Sequence, residues 1–398
     1  MNALNRCIFA AALLAPLLAQ AATFTVNSTA DPGDGSCDAS ECTLREAITA
    51  ANANANATEV DMIYFGVAGG GVHSIQPMEA LPTIIEPVLI DGYQSPQAGA
   101  TPWSLENGVE IPPILVIELN GDAIAEGKPN GLTFAAGSEG STLRGLVING
   151  WEEAGVRITG VAGVNIEGNI FGLDASGLNA KPHEGAKSRA GVHIDGPSTV
   201  TVGGPAISQR NVLGGFDDNG SSTAGISTNS GGHTLVIENN FIGTIITGDR
   251  SAGGNGHGIY RGTFGAFDIP STVTIRDNLI SGNGRHGVNF SGSGTSSFTG
   301  SIVSNRIGVA YASNDEVSNG GDGIQWRDGE VTIGGDSAEL GNVIAHNAGY
   351  GVNGLGAGLY ARHNAIFANG NLGLRGNVRA VEVLSAWVRH DGSSLIRF

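Results

Sequence analysis

The chain has 398 residues, of which 40% are apolar and only 14% charged, with 64 glycines and a formal net charge of −17. So acidic a chain excludes nucleic-acid phosphates as partners, and it disfavours polyanionic glycans unless basic residues gather locally. Glycine with low charge would suit a disordered chain, but the apolar fraction argues for a packed one whose glycines serve tight turns.

Residues 1–21 read as an export signal: Arg6 is the positive start, residues 7–18 are apolar, and Ala19-Gln20-Ala21 is a small-x-small cleavage site. The apolar stretch is too short to span a bilayer, and no later segment is apolar enough to do so. Cys7 precedes the apolar core, which argues against a lipid-modified cysteine at the cleavage site. The expectation is a chain starting near Ala22, secreted, periplasmic or at the cell surface, with its formal charge moved from −17 to −18 by loss of Arg6.

Residues 22–60 form an N-terminal cap. Cys37 and Cys42 bracket Cys-Asp-Ala-Ser-Glu-Cys. In an oxidising compartment a short disulfide is the simplest reading; a two-thiolate metal site is the rival, with no nearby His to support it. Asp31, Asp34, Asp38 and Glu41, with glycines at 33 and 35, make an oxygen-rich loop that is a candidate for Ca²⁺, although the spacing is not that of a helix-loop-helix calcium site. No other cofactor is expected. Thr43 and Glu46 then have capping-box spacing, and Leu44, Ala47, Ile48 and Ala51 fall on one helical face. The polar run Asn52-Ala53-Asn54-Ala55-Asn56 ends that helix, which would lid the first coil of a stack of strands.

Thr25-Val26-Asn27-Ser28, Asp31, Asp34, Gly35, Cys37 and Cys42-Thr43-Leu44-Arg45-Glu46-Ala47 resemble the CSLREA domain, with Thr43 where Ser is usual. Leu81-Pro82-Thr83-Ile84 and Val88-Leu89-Ile90-Asp91-Gly92 resemble that family's entry into its β-helix. The resemblance extends over most of the chain. It implies export, a capped right-handed parallel β-helix of the pectate-lyase type and often a surface location, but no activity.

Residues 61–374 carry an internal repeat. Val200-Thr201-Val202-Gly203-Gly204 with Asn211-Val212-Leu213 returns as Val331-Thr332-Ile333-Gly334-Gly335 with Asn342-Val343-Ile344, and Val273-Thr274-Ile275 with Asn278-Leu279-Ile280 lies between. Asn-x-[Ile/Phe]-Gly recurs at Asn169, Asn240 and Asn305. The two series interleave, each stepping by 64 to 71 residues, so one unit holds two coils. A Gly-aliphatic marker opens a strand in every coil, at Gly155, Gly191, Gly225, Gly258, Gly287, Gly323 and Gly351. Such strands share a core only when stacked, which predicts an all-β, single-stranded right-handed parallel β-helix. About ten coils at ~4.8 Å each would make a rod ~50 Å long. The recurrent Asn is expected to occupy the left-handed bend and to hydrogen-bond from coil to coil. Leucine-rich repeats and propeller signatures are absent, and Gly253-Gly254-Asn255-Gly256-His257 is followed by Gly258, not the Asp of a calcium-binding nonapeptide. Residues 375–398, where the repeat fades, are expected to be a strand or tail ending a shortened chain with a poorly capped last coil.

Aligning coils on the marker places Arg157, His193, Ser227, Tyr260, Asn289, Gln325 and Asn353 in one outward column, and Thr159, Asp195, Asn229, Gly262, Ser291 and Arg327 two positions on. Arg157, His193 and Tyr260 have the residue types of a lyase or epimerase site, against the plain reading that outward positions are polar. Lys181, His183, Lys187, Arg189, His193 and Arg210, diluted by Glu184 and Asp195, are the candidate anion-binding cluster. His257 and His286 are expected to stack as turn histidines, and Trp326 to point inward. There is no Gly-x-Ser-x-Gly elbow, phosphate loop or free cysteine in the mature chain.

Two functions follow. The preferred one is a non-catalytic surface, adhesive or glycan-binding scaffold, because no acid/base set converges in the sequence. The alternative is a carbohydrate-active enzyme, a polysaccharide lyase, hydrolase or epimerase, working on the β-helix face.

Overall fold

The computed structural model describes residues 20–397 apart from 55–58, 95–98, 125–126, 128, 183–188, 217–221, 230, 263–268, 291–297, 328, 382–384 and 389–393; the expected export signal at 1–19 and the loop residues His183, Glu184 and Lys187 lie outside the described residues. The chain winds as a right-handed parallel β-helix. One coil runs through Ala154–Thr159, Ala162–Glu167 and Ile170–Phe171, and the next through Ala190–Asp195, Thr199–Gly203 and Val212–Leu213. Like strands pair in parallel from coil to coil, building a 19-stranded sheet that wraps two sides of the coil and a 12-stranded sheet on the third.

Alternation along each strand makes the core. Val156, Val192, Ile226, Ile259, Val288, Ile324 and Val352 stack rung on rung and are fully buried. Each contributes about 1.5–3 kcal/mol relative to exposure. The next inward column holds Ile158, Ile194, Thr228, Arg261, Phe290 and Trp326. Trp326 is buried there and stacks on Phe290 at 4.4 Å, as its register predicts, while the buried Arg261 guanidinium lies 4.5 Å from the Phe298 ring.

The marker glycines have a different cause from a turn. None has positive φ among the described residues. A Cβ on Gly258 would come within 2.5 Å of the Gly287 carbonyl oxygen, and one on Gly287 within 2.7 Å of that of Gly323. Stacked backbones approach too closely here for any side chain.

The asparagine expectation is met in one respect and corrected in the other. Asn169, Asn211, Asn240, Asn278, Asn305, Asn342 and Asn364 pass Nδ2 to Oδ1 up the stack at 2.8–3.2 Å. The left-handed bend, however, belongs in five of the coils to the residue before: Gly168, Asn239, Asp277, Ser304 and His363 have φ of 57–65°, whereas Arg210 and Gly341, before Asn211 and Asn342, are extended, and no ladder asparagine has positive φ. Where the bend occurs, the interior hydrogen bonds of the amide that follows offset the roughly 1–2 kcal/mol cost of that conformation. A second ladder, not foreseen, joins Asn255, Asn283, Asn319, Asn347 and Asn369 at 2.8–3.0 Å.

The helix Leu44–Ala53 has both hydrogen bonds of the Thr43–Glu46 capping box and buries Leu44, Ala47, Ile48 and Ala51. Thr23–Val26 already pairs in parallel with Asp61–Phe65, so the ladder begins before residue 61 and the helix lies between its first two rungs in sequence. At the other end Leu374–Val381 adds a parallel rung, Ser394–Arg397 pairs antiparallel with Ala365–Phe367, and Ser385–Val388 pairs antiparallel with Ser394–Arg397 as the last strand of the second sheet.

Candidate functional site

The site lies on the outward side of the marker strands. Their register sets Arg157 beside His193, His193 beside Ser227, Ser227 beside Tyr260 and Tyr260 beside Asn289, and the column continues through Gln325 and Asn353. Its upper members are covered: Asn289, Gln325 and Asn353 are buried. The open part spans Arg157 to Tyr260, with Ser227 buried at the floor between them.

Here side chains from three coils meet. Arg157 Nη2 donates to Asp195 Oδ2 at 2.6 Å, and His193 Nε2 lies 3.2 Å from Asp195 Oδ1. The other ring nitrogen, Nδ1, is 2.7 Å from Ser227 Oγ. Asn229 Nδ2 is 3.3 Å from His193 Nε2. The His193 hydrogen bond, helped by the charge of Arg157 and opposed by burial, holds the Asp195 carboxyl down at about 2. Asp195 is therefore a fixed acceptor that orients the imidazole. Arg189, with a side chain 60% exposed, stands at the rim 3.4 Å from Glu153. A cavity of about 280 Å³ is lined by Asn130, Glu153, Arg157, Arg189, His193, Asp195 and Asn229. A smaller one of about 80 Å³ continues past Arg189, His193, Ser222, Ser227, Asn229 and Tyr260.

Tyr260 closes the upper end. Its ring stacks on His257 at 5.0 Å, and His257 stacks on His286 at 5.4 Å, which is the expected pairing. Burial raises the Tyr260 hydroxyl above its ordinary range. His286 Nδ1 accepts from the Asp322 backbone N–H at 2.8 Å, and burial, partly offset by Asp322, lowers its pKa. Asp322 in turn accepts from Asn353 and from the Tyr350 N–H. These contacts hold neighbouring coils together.

The anticipated basic cluster is divided: Arg189 and His193 reach the cavity together with Asp195, His183 and Lys187 are outside the described residues, and Lys181 and Arg210 face elsewhere. Lys181 Nζ binds Glu118 at 2.9 Å, beside Asn149. Arg210 is buried, paired with Glu110 and Tyr311, and enclosed by the rings of Trp103, Phe241 and Tyr311 at 4.5–5.0 Å. Proximity in sequence misled because a coil returns to each face only after some thirty residues, so basic residues from one coil point in three directions.

The anticipated calcium loop also differs. Asp31 makes two hydrogen bonds to Arg45 at 2.8 and 3.0 Å, and Asp38 accepts from the backbone and hydroxyl of Ser40. Asp34 instead meets Glu41 and Glu46, with oxygens within 4.8 Å of one another. Glu46 accepts from the backbone N–H groups of Gly35, Ser36 and Thr43 and so caps the helix, while it also lies with Asp34 and Glu41 in a group of carboxylates spaced as cation ligands can be. The Cys37–Cys42 disulfide is formed, closing the loop.

Ser227 was legible as a column position but not as a partner of His193. The signal was register: adjacent marker strands place positions of equal offset side by side. No helix among the described residues is long and apolar enough to cross a membrane.

No protein-family model matches the sequence, and no curated protein does. Solved structures are similar in fold. An alginate lyase from Paenibacillus sp. shares 14% identity over 90% of this chain and 99% of its own, with a TM-score of 0.36. The A-module of a mannuronan C-5 epimerase from Azotobacter vinelandii shares 16% over 88% of this chain and 95% of its own, with a TM-score of 0.40. PfbA, a surface adhesin of Streptococcus pneumoniae, shares 13% over 89% and 94%, with a TM-score of 0.27.

Proposed function

We propose that this chain is an exported β-helix protein whose open face binds a hydroxyl-rich segment of a glycan. The carrying observation is that the groove is densely polar yet locally balanced. Arg157 is matched by Asp195 and Arg189 by Glu153, with His193, Asn229 and Tyr260 between and above them. Paired cations and carboxylates present donors and acceptors together, which suits vicinal hydroxyls. A uronate carboxylate would have to displace Asp195 or Glu153 from its arginine. The stacked Tyr260–His257 rings give the groove an apolar wall at one end.

Export is supported by the signal-like residues 1–21 and by a disulfide, which persists in oxidising compartments. The CSLREA-type cap is supported by the motif residues and by the capping box they form.

Lyase or epimerase chemistry by Arg157, His193 and Tyr260 fits less well. Arg157 is engaged with Asp195, and Tyr260 stands two rungs from His193, roughly 10 Å along the stack. Affinity electrophoresis against neutral and uronate polysaccharides tests the reading. Retardation by neutral chains that is lost in Arg157→Ala and Tyr260→Ala supports it. Retardation by uronates alone, or unsaturated products on incubation, overturns it in favour of the enzyme.

A further inference from the structure

We infer that Ser227, His193 and Asp195 form a nucleophilic array that removes a small acyl group from an ester. This goes beyond glycan binding, and it stands on the geometry of three side chains from neighbouring strands. Ser227 Oγ is 2.7 Å from His193 Nδ1, and His193 Nε2 is 3.2 Å from Asp195 Oδ1. With the Nε2 proton donated to Asp195, Nδ1 keeps its lone pair for the Ser227 hydroxyl. That is the relay a serine nucleophile needs, with the two ring nitrogens exchanged relative to the arrangement of serine proteases. Arg157 fixes Asp195 from the far side at 2.6 Å, so the third member is itself held in place.

The surroundings set the substrate class. The cavity at Ser227 is about 80 Å³, the space of two to three water molecules, which accepts an acetyl group and not a long acyl chain. Arg189 and Tyr260 line it and offer donors for an oxyanion. It opens into the larger cavity of about 280 Å³, where the alcohol part of an O-acetylated sugar would lie. Ser227 Oγ adds to the acyl carbon as its proton passes to His193 Nδ1. The bond from that carbon to the sugar oxygen breaks, and the sugar oxygen takes the proton. Water then adds to the acyl-serine, again losing a proton to His193. The Ser227–acyl bond breaks, Ser227 recovers the proton, and the carboxylic acid leaves.

The test is independent of any glycan. The purified protein is treated with a fluorophosphonate probe, the adduct is located by peptide mass mapping, and p-nitrophenyl acetate hydrolysis is followed across pH. One adduct on Ser227 is expected. Ser227→Ala should lose both labelling and turnover with an unchanged thermal melt, His193→Ala should lower both by about a hundredfold or more, and Ser227→Cys should restore acylation by p-nitrophenyl acetate. Ser301→Ala, on another side of the coil, should behave as wild type. No adduct on the folded wild type, an adduct elsewhere, or labelling that survives in Ser227→Ala overturns the inference. Labelling at Ser227 without retardation by any polysaccharide leaves the array standing and refutes glycan binding; the reverse result refutes the array alone.

Discussion

Replacing Asn240 by Ala removes one amide from the middle of the main ladder, and the cost follows from the bonds it makes. Its Oδ1 accepts from the Asn211 side chain at 2.9 Å and from the Asn211 backbone N–H at 3.3 Å. Its Nδ2 donates to the Val202 and Glu238 carbonyls at 2.9 Å each and to Asn278 Oδ1 at 3.0 Å. Every atom involved is buried, so water cannot replace the lost partner. Two donors on Asn211 lose their acceptor, and an orphaned buried donor costs about 1–3 kcal/mol. A destabilisation of about 3–5 kcal/mol is therefore expected, against less than about 0.5 kcal/mol for Val236→Thr on the outward side of the adjoining strand. Urea denaturation followed by far-ultraviolet circular dichroism reads both. Asn240→Asp, which keeps the shape and loses the donors, should be at least as damaging as Ala. A loss below about 1 kcal/mol in Asn240→Ala would refute the reasoning, because the ladder would then be decorative.

Adding one methyl at Gly258 should cost about 1–3 kcal/mol by the same denaturation assay, since the Cβ would meet the Gly287 carbonyl at 2.5 Å; an unchanged midpoint would show that the rungs can separate. Asp195 is ionised in the folded chain down to about 2, against 3.8 without its partners, so its stabilisation is present above about pH 4 and lost as the pH falls toward 2. Asp195→Asn should accordingly show a shallower loss of stability with acid than wild type, and parallel acid curves would contradict this. Removing both cysteines as Cys37→Ser with Cys42→Ser should destabilise the cap by about 2 kcal/mol in a thermal melt, and a melt unaffected by reductant would place the cap's stability elsewhere.

The fold was legible because a solenoid writes its period into the sequence. The marker glycines and the recurrent asparagines each occupy one place in the coil, so their spacing alone reports the stacking. The second ladder was equally available: Asn283, Asn319, Asn347 and Asn369 each stand four residues before a Gly-aliphatic or Gly-Leu pair. The outward column from Arg157 to Asn353 was readable because register follows from the marker. What sequence does not encode directly is which loop covers which rung, and so Asn289, Gln325 and Asn353 read as exposed but are buried. The basic cluster and the acidic loop have other members than the sequence suggested, for a related reason. Lys181, Arg210 and Asp31 each have a distant partner, Glu118, Glu110 and Arg45, that only the folded chain brings within reach.

Cross-linking across one rung tests most directly that like positions stack in parallel register. Thr201 and Val236 are register partners on adjacent coils, both facing outward. Cysteines at both positions would lie about 4.8 Å apart, within reach of a disulfide. Rapid, complete bridging on mild oxidation is the predicted result. Failure of that pair to bridge, with Thr201→Cys bridging instead to a cysteine placed at Ile237, would contradict it.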